Sequence, residues 1–126
     1  MPTVLWVALG GAIGSAARFG VNVWSGRMLG MAFPWHTLIV NVVGCLAMGM
    51  LIELMALRFN AGNDTRAFLT TGVLGGFTTF SAFSLDFALL VERKSLWLAG
   101  AYAASSVVLS LVAVFAGLYL IRALLA

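Results

Sequence analysis

Four long apolar stretches divide the chain, and charged residues stand at their ends. Met1 to Ala17 runs uncharged up to Arg18, and Met28 to Ile52 lies between Arg27 and Glu53. Ala67 to Leu85 lies between Arg66 and Asp86, and Ser95 to Ile121 between Lys94 and Arg122. A helix crossing the hydrocarbon core takes about 20 residues, so each run is close to or above span length. The pattern predicts an all-α integral membrane protein, one four-helix domain over residues 1–126, with helices at about 3–25, 36–58, 65–91 and 96–123. The connections are short. Gly26, Gly30 and Pro34 punctuate Ser25 to Trp35, Phe59 to Asp64 has a turn composition, and Glu92 to Ser95 makes a charged corner with Ser95 as the cap of the last helix. The first run has no Lys or Arg ahead of Arg18 and no distinct cleavage site, so it reads as a span and not as a signal peptide.

Composition agrees with this division. Of 126 residues, 63% are apolar and only 9% charged, where a soluble domain carries about 25%. The mean hydropathy is +1.09. These values exclude a soluble enzyme domain, a disordered chain and a nucleic-acid binder; the seven Lys and Arg mark loop ends. Cys45 is the one cysteine, which excludes an intrachain disulfide and a multi-cysteine metal site. There is one His, no Ser-His-Asp set and no paired carboxylate at depth, so the chain is not read as an enzyme. Gly72 to Gly76 is not a phosphate loop, because no Gly-Lys-Ser/Thr follows it.

Charge counting leaves orientation open. Four spans put Arg58, Arg66 and Arg122 on one side and Arg27, Arg93 and Lys94 on the other, so the positive-inside rule has little to act on. Either orientation is set weakly, or chains insert both ways and pair antiparallel.

Polar residues inside spans need a partner or a function. Asn41 is either interhelical glue or a donor facing a pore, and Thr37 lies one turn before it on the same face. Within the third span, Gly75-Gly76-Phe77-Thr78-Thr79 is poor helix sequence and predicts a break near Gly75 to Thr79. Such a break frees carbonyls that suit a cation and N–H groups that suit an anion; the alternative is close packing through Gly72 and Gly76. Phe77, Phe80, Phe83 and Phe87 recur at spacings of three and four, either as a packing stripe or, for Phe80 and Phe83, as ring edges turned into a pore. Tyr102, Ser106 and Ser110 fall on one stripe of the last helix as a ladder of hydroxyl donors. Arg18 either snorkels or concentrates anions at a pore mouth. His36 reads as an interfacial residue, Cys45 as packing, and Glu53 and Asp86 as reaching water near helix ends.

Together these motifs make the chain resemble the Fluc (CrcB) fluoride ion channels. The likeness runs from about Gly10 to Ala116 and rests on four segments in order. They are Gly10-Gly11-Ala12-Ile13-Gly14 through Arg18; Val40-Asn41-Val42-Val43-Gly44; Gly75 to Phe83; and Tyr102 with Ser106 and Ser110. The family usually has Ser-Thr-Phe where this chain has Ser81-Ala82-Phe83, so one hydroxyl is missing. The resemblance implies a passive exporter of cytoplasmic fluoride in the bacterial inner membrane, working as an antiparallel dual-topology homodimer with two pores. Each pore would be lined by Asn41, Phe80, Phe83, Tyr102, Ser106 and Ser110, with Thr37 and Ser81 as further donors and Arg18 at the vestibule. It also implies a structural Na⁺ at the dimer centre, held by the main-chain carbonyls of Gly75 and Thr78. Two other readings fit less. A small multidrug transporter wants a membrane-embedded carboxylate, and the first span has no acid; a membrane scaffold explains the glycines but not the donors in register.

Overall fold

In a computed structural model the described residues are 2–58 and 62–125, and these form helices and short connections. Helix α1 is Thr3–Leu29 and α2 is Trp35–Leu57. The third span, Asn63–Glu92, is divided: α3 covers residues 63–77, and after a gap α4 covers Ser81–Glu92. Helix α5 is Leu96–Leu125. All four spans are long and apolar enough to cross a membrane. Helix α1 runs four residues past its predicted end, because nothing in Gly26 to Leu29 stops a helix until Gly30 turns left-handed at φ 80°. The predicted turn at 59–64 falls partly on residues 59–61, which lie outside the described residues. The corner after α4 is closed by backbone bonds from Arg93 to Leu89, Lys94 to Val91 and Ser95 to Leu90, with Lys94 at φ 59°. The Ser95 carbonyl then accepts the Ala99 N–H and opens α5.

Helices pack in two tight pairs, α1 along α3 and α2 along α5, and small residues set both. A Cβ on Gly49 would collide with the Val114 carbonyl, and one on Gly117 with the Leu46 carbonyl, so these glycines let α2 and α5 touch backbone to backbone. Gly10 does the same for α1, where an added Cβ would stand 2.5 Å from the Phe68 carbonyl. With no hydrophobic drive between helices inside lipid, such close contact is a main source of cohesion. The buried core is correspondingly small. Leu38, Leu90, Ala99 and Tyr102 form its centre, with Phe33, Phe83 and Phe87 packed on it, while apolar side chains such as Val4, Phe19, Val108 and Leu124 face outward.

Helix α3 is not a plain α-helix. Phe68–Leu74 follows the wider π-helical path. The Thr70 hydroxyl donates to the Arg66 carbonyl at 2.7 Å and so competes for the acceptor that an α turn would use. The helix ends at Phe77, and Thr78 is extended at φ −87° and ψ 160°. The break therefore spans Thr78 to Phe80, at the C-terminal edge of the predicted window. It also splits the phenylalanine stripe, so Phe77 and Phe83 do not lie along one helix.

Glu53 does not reach water as predicted. It is 8% exposed and bonded through both carboxylate oxygens by Arg122, at 3.2 Å each. The backbone contact of α2 with α5 draws the acid inside, and Arg122, near the C-terminal end of α5 as Glu53 is near that of α2, neutralises it. Gly49→Val should separate α2 from α5 and cost about 1–3 kcal/mol, as overpacked sites do. The check is thermal unfolding of the detergent-solubilised protein, where an unchanged midpoint would show that the helices yield freely.

Candidate functional site

Asn41, on α2, is bound to the break by two hydrogen bonds. Its Nδ2 donates to the Thr79 carbonyl at 2.9 Å, and its Oδ1 accepts the Thr79 N–H at 2.7 Å. A primary amide has a donor and an acceptor side by side, so it matches the peptide edge that an extended residue exposes. Thr79 also turns its hydroxyl onto the Ala82 N–H at 3.1 Å, which starts α4, and its Oγ1 meets the Ser81 hydroxyl at 3.2 Å.

These bonds leave two carbonyls without their helical donors. In an α-helix the Thr79 N–H would serve Gly75 and the Ala82 N–H would serve Thr78. Here those N–H groups go to Asn41 Oδ1 and Thr79 Oγ1. The Gly76 carbonyl is taken from the opposite side by Arg18 Nε at 3.0 Å. Gly75 and Thr78 thus present main-chain oxygens of the kind that hold a hard monovalent cation, so the residues present fit such an ion.

A cavity of about 420 Å³ opens beside the break, between α2 and α5. Asn41, Gly75, Thr78, Phe80, Phe83, Ser106 and Ser110 all line it, seven residues that the sequence singles out. Cys45, one turn beyond Asn41, lines it as well, so its place follows from helical spacing. The Phe80 and Phe83 rings stand 5.3 Å apart and tilted at 49°. The Ser106 hydroxyl is buried and has no hydrogen-bond partner among the described residues. Phe80 is 75% exposed, although it belongs to irregular backbone in the middle of a span.

Four predicted residues lie elsewhere. Ser81 is exposed beside Thr79. Arg18 and Thr37 line a second cavity, of about 300 Å³, with Ser15, Asn22, His36, Thr79 and Ala82. Tyr102 is fully buried, and its hydroxyl donates to Asp86 Oδ2 at 3.1 Å, away from the Ser106 and Ser110 pair. The Thr37 hydroxyl donates to the same oxygen at 2.6 Å. Asp86 is therefore corrected from a water-facing residue to the acceptor of a buried hydroxyl pair. The signal for this is its spacing, three residues after Phe83 and four before Leu90, on the face that packs against α5.

Several comparisons bear on this arrangement. The family model described as CrcB-like protein, Camphor Resistance (CrcB), matches residues 5–118. A Rhizobium etli protein named "Fluoride-specific ion channel FluC" is 56% identical over 124 residues, covering 98% of this chain and 99% of its own. The protein of that name from Agrobacterium fabrum is 56% identical over 122 residues, covering 97% and 98%. The one from Rhodopseudomonas palustris is 52% identical over 122 residues, with the same coverage.

Replacing Asn41 by Leu, similar in size, leaves the Thr79 N–H and carbonyl unpaired at membrane depth. At about 1–3 kcal/mol for each orphaned group, the expected loss is about 2–6 kcal/mol. Thermal or denaturant unfolding in detergent reads it, and an unchanged midpoint would mean that Thr79 finds other partners.

Proposed function

The chain belongs to the CrcB-like protein family, and from that premise we propose that it is a fluoride-selective channel that lets cytoplasmic fluoride leave the cell passively. It is a multi-pass integral membrane protein of the bacterial inner membrane and not an enzyme. The observation that carries the reading is the cavity at the helix break, where Asn41, Phe80, Phe83, Ser106 and Ser110 meet. Fluoride is small and strongly hydrated, so a pore must replace its water with closely spaced donors. Ser106 and Ser110 offer hydroxyls, Asn41 keeps a second amide N–H beyond the one spent on Thr79, and the phenyl rings offer electropositive edges. None of these carries a full charge. That keeps each site weak enough to release the ion, and conduction needs weak, multiple sites.

The working unit in this proposal is an antiparallel homodimer with two pores. Support comes from the break. Irregular backbone at membrane depth is tolerated where protein covers it, and Phe80 and Gly75 stand open on the single chain. A second, inverted copy covers them, and the even charge distribution permits both insertions. The Gly75 and Thr78 carbonyls of both copies then hold a structural Na⁺ at the centre. When bound, the ion neutralises carbonyl dipoles that would otherwise face one another; this chain's part is to keep those carbonyls free through Asn41 and Thr79.

In proteoliposomes read with a fluoride electrode, the expected result is rapid fluoride release with no chloride release. No release from well-reconstituted dimer would end the proposal. Phe80→Ile and Asn41→Asp should each cut flux at least about tenfold, the scale of one lost hydrogen bond to a charged group. Wild-type rates in both would remove these residues from the pore. Replacing Na⁺ by a large organic cation should shift the purified protein from dimer to monomer, and a dimer indifferent to Na⁺ would overturn the carbonyl site.

A further inference from the structure

His36 stands at the start of α2 and lines the 300 Å³ cavity opposite Arg18. Its Nε2 lies 3.9 Å from Asp86 Oδ2, the oxygen that Thr37 and Tyr102 also address. The His36 side chain is 24% exposed. Thr79 lines both this cavity and the larger one, so the two share a wall at the break. We propose that His36 is a proton sensor that sets how strongly this outer cavity draws fluoride toward the pore, an inference that rests on the channel reading above.

The charge balance carries it. Arg18 lines the cavity from α1, and Asp86, outside the lining, faces His36 from α4. From α5, Tyr102 reaches Asp86 by its neutral hydroxyl. Arg27, Glu92, Arg93 and Lys94 stand at the same end of the molecule but are exposed and outside the cavity. The other polar walls are Ser15, Asn22, Thr37 and Thr79, which carry no charge, and position 82 presents only a methyl group. Among the residues lining the cavity, Arg18 and His36 are the ones that can carry charge, and histidine as a residue type is the one that changes charge near neutral pH. Protonation of His36 adds one positive charge to the cavity wall, and it also gives Asp86 a cationic partner in competition with its two hydroxyl donors. Both changes favour an anion in the cavity. A unit charge about 6 Å from an anion in water raises occupancy about threefold, and more where water is excluded.

The test measures initial fluoride efflux from proteoliposomes at limiting fluoride, with equal pH on both sides, from pH 8 to pH 5.5. Protein-free liposomes at each pH correct for passage of the neutral acid. Wild-type flux should rise about threefold or more across this range. His36→Gln should give a flat profile, and His36→Lys should be flat and higher than His36→Gln at pH 8. A flat wild-type profile overturns the sensor while leaving the channel standing. The same rise in His36→Gln overturns it too, by assigning the proton to another group. Absence of fluoride flux at every pH overturns both readings.

Discussion

Two hydrogen bonds between the Asn41 amide and the Thr79 peptide hold the rest in place. A helix that stops inside a membrane leaves polar backbone where water cannot serve it, and that cost is met or the helix does not stop. Asn41 meets it with a group that imitates a peptide edge. Once Thr79 is held, its hydroxyl opens α4, Arg18 takes the Gly76 carbonyl from the other side, and the Gly75 and Thr78 carbonyls are left free. The phenyl rings and serines gather round that fixed point. The earlier alternatives for Asn41, glue or pore donor, are not exclusive, since one amide has enough hydrogen-bonding groups for both.

The spans were readable because lipid imposes one strong rule, an uninterrupted apolar run bounded by charge. The break was readable for a related reason, since Gly75-Gly76 followed by two threonines is expensive helix. Ser106 and Ser110 sit where an i, i+4 stripe puts them. What the pattern did not carry was direction. Tyr102 shares the backbone stripe of the serines, yet its long side chain reaches sideways to Asp86. Thr37 shares the face of Asn41 but stands one turn nearer the helix start, where it meets the carboxylate and the smaller cavity instead of the larger one. Distance from a charged flank is a poor guide to the burial of Asp86 and Glu53. Asp86 is drawn in by Thr37 and Tyr102 and Glu53 by Arg122; helical spacing marks the packed face of Asp86 but does not name these partners on other helices.

Electrically the two ends of the molecule differ. At one end Glu53 and Arg122 neutralise each other, with Arg122 5.2 Å over the Tyr119 ring and Arg58 on the Leu125 carbonyl. These contacts tie the C-terminal ends of α2 and α5 together and involve no cavity described above. At the other end Arg18 and His36 line open space, with Asp86 beside His36. The same residue types serve cohesion at one end and are left available to an ion at the other.

The π-helical stretch in α3 bears on how the chain tolerates length changes. A wide turn accommodates one residue more than the α path over the same rise, so Phe68–Leu74 behaves as an absorbed insertion. Its glycine contacts with α1, from Gly10 on Phe68 to Gly76 on Gly11, run along it and just past its end, and the break follows. Deleting a single residue there lets the segment relax to an ordinary helix while the residues downstream keep nearly the same phase. Thr79 then still faces Asn41. A stretch that looks like simple apolar filler is thus the place in this span where a one-residue change of length is taken up without turning the break away from its partner.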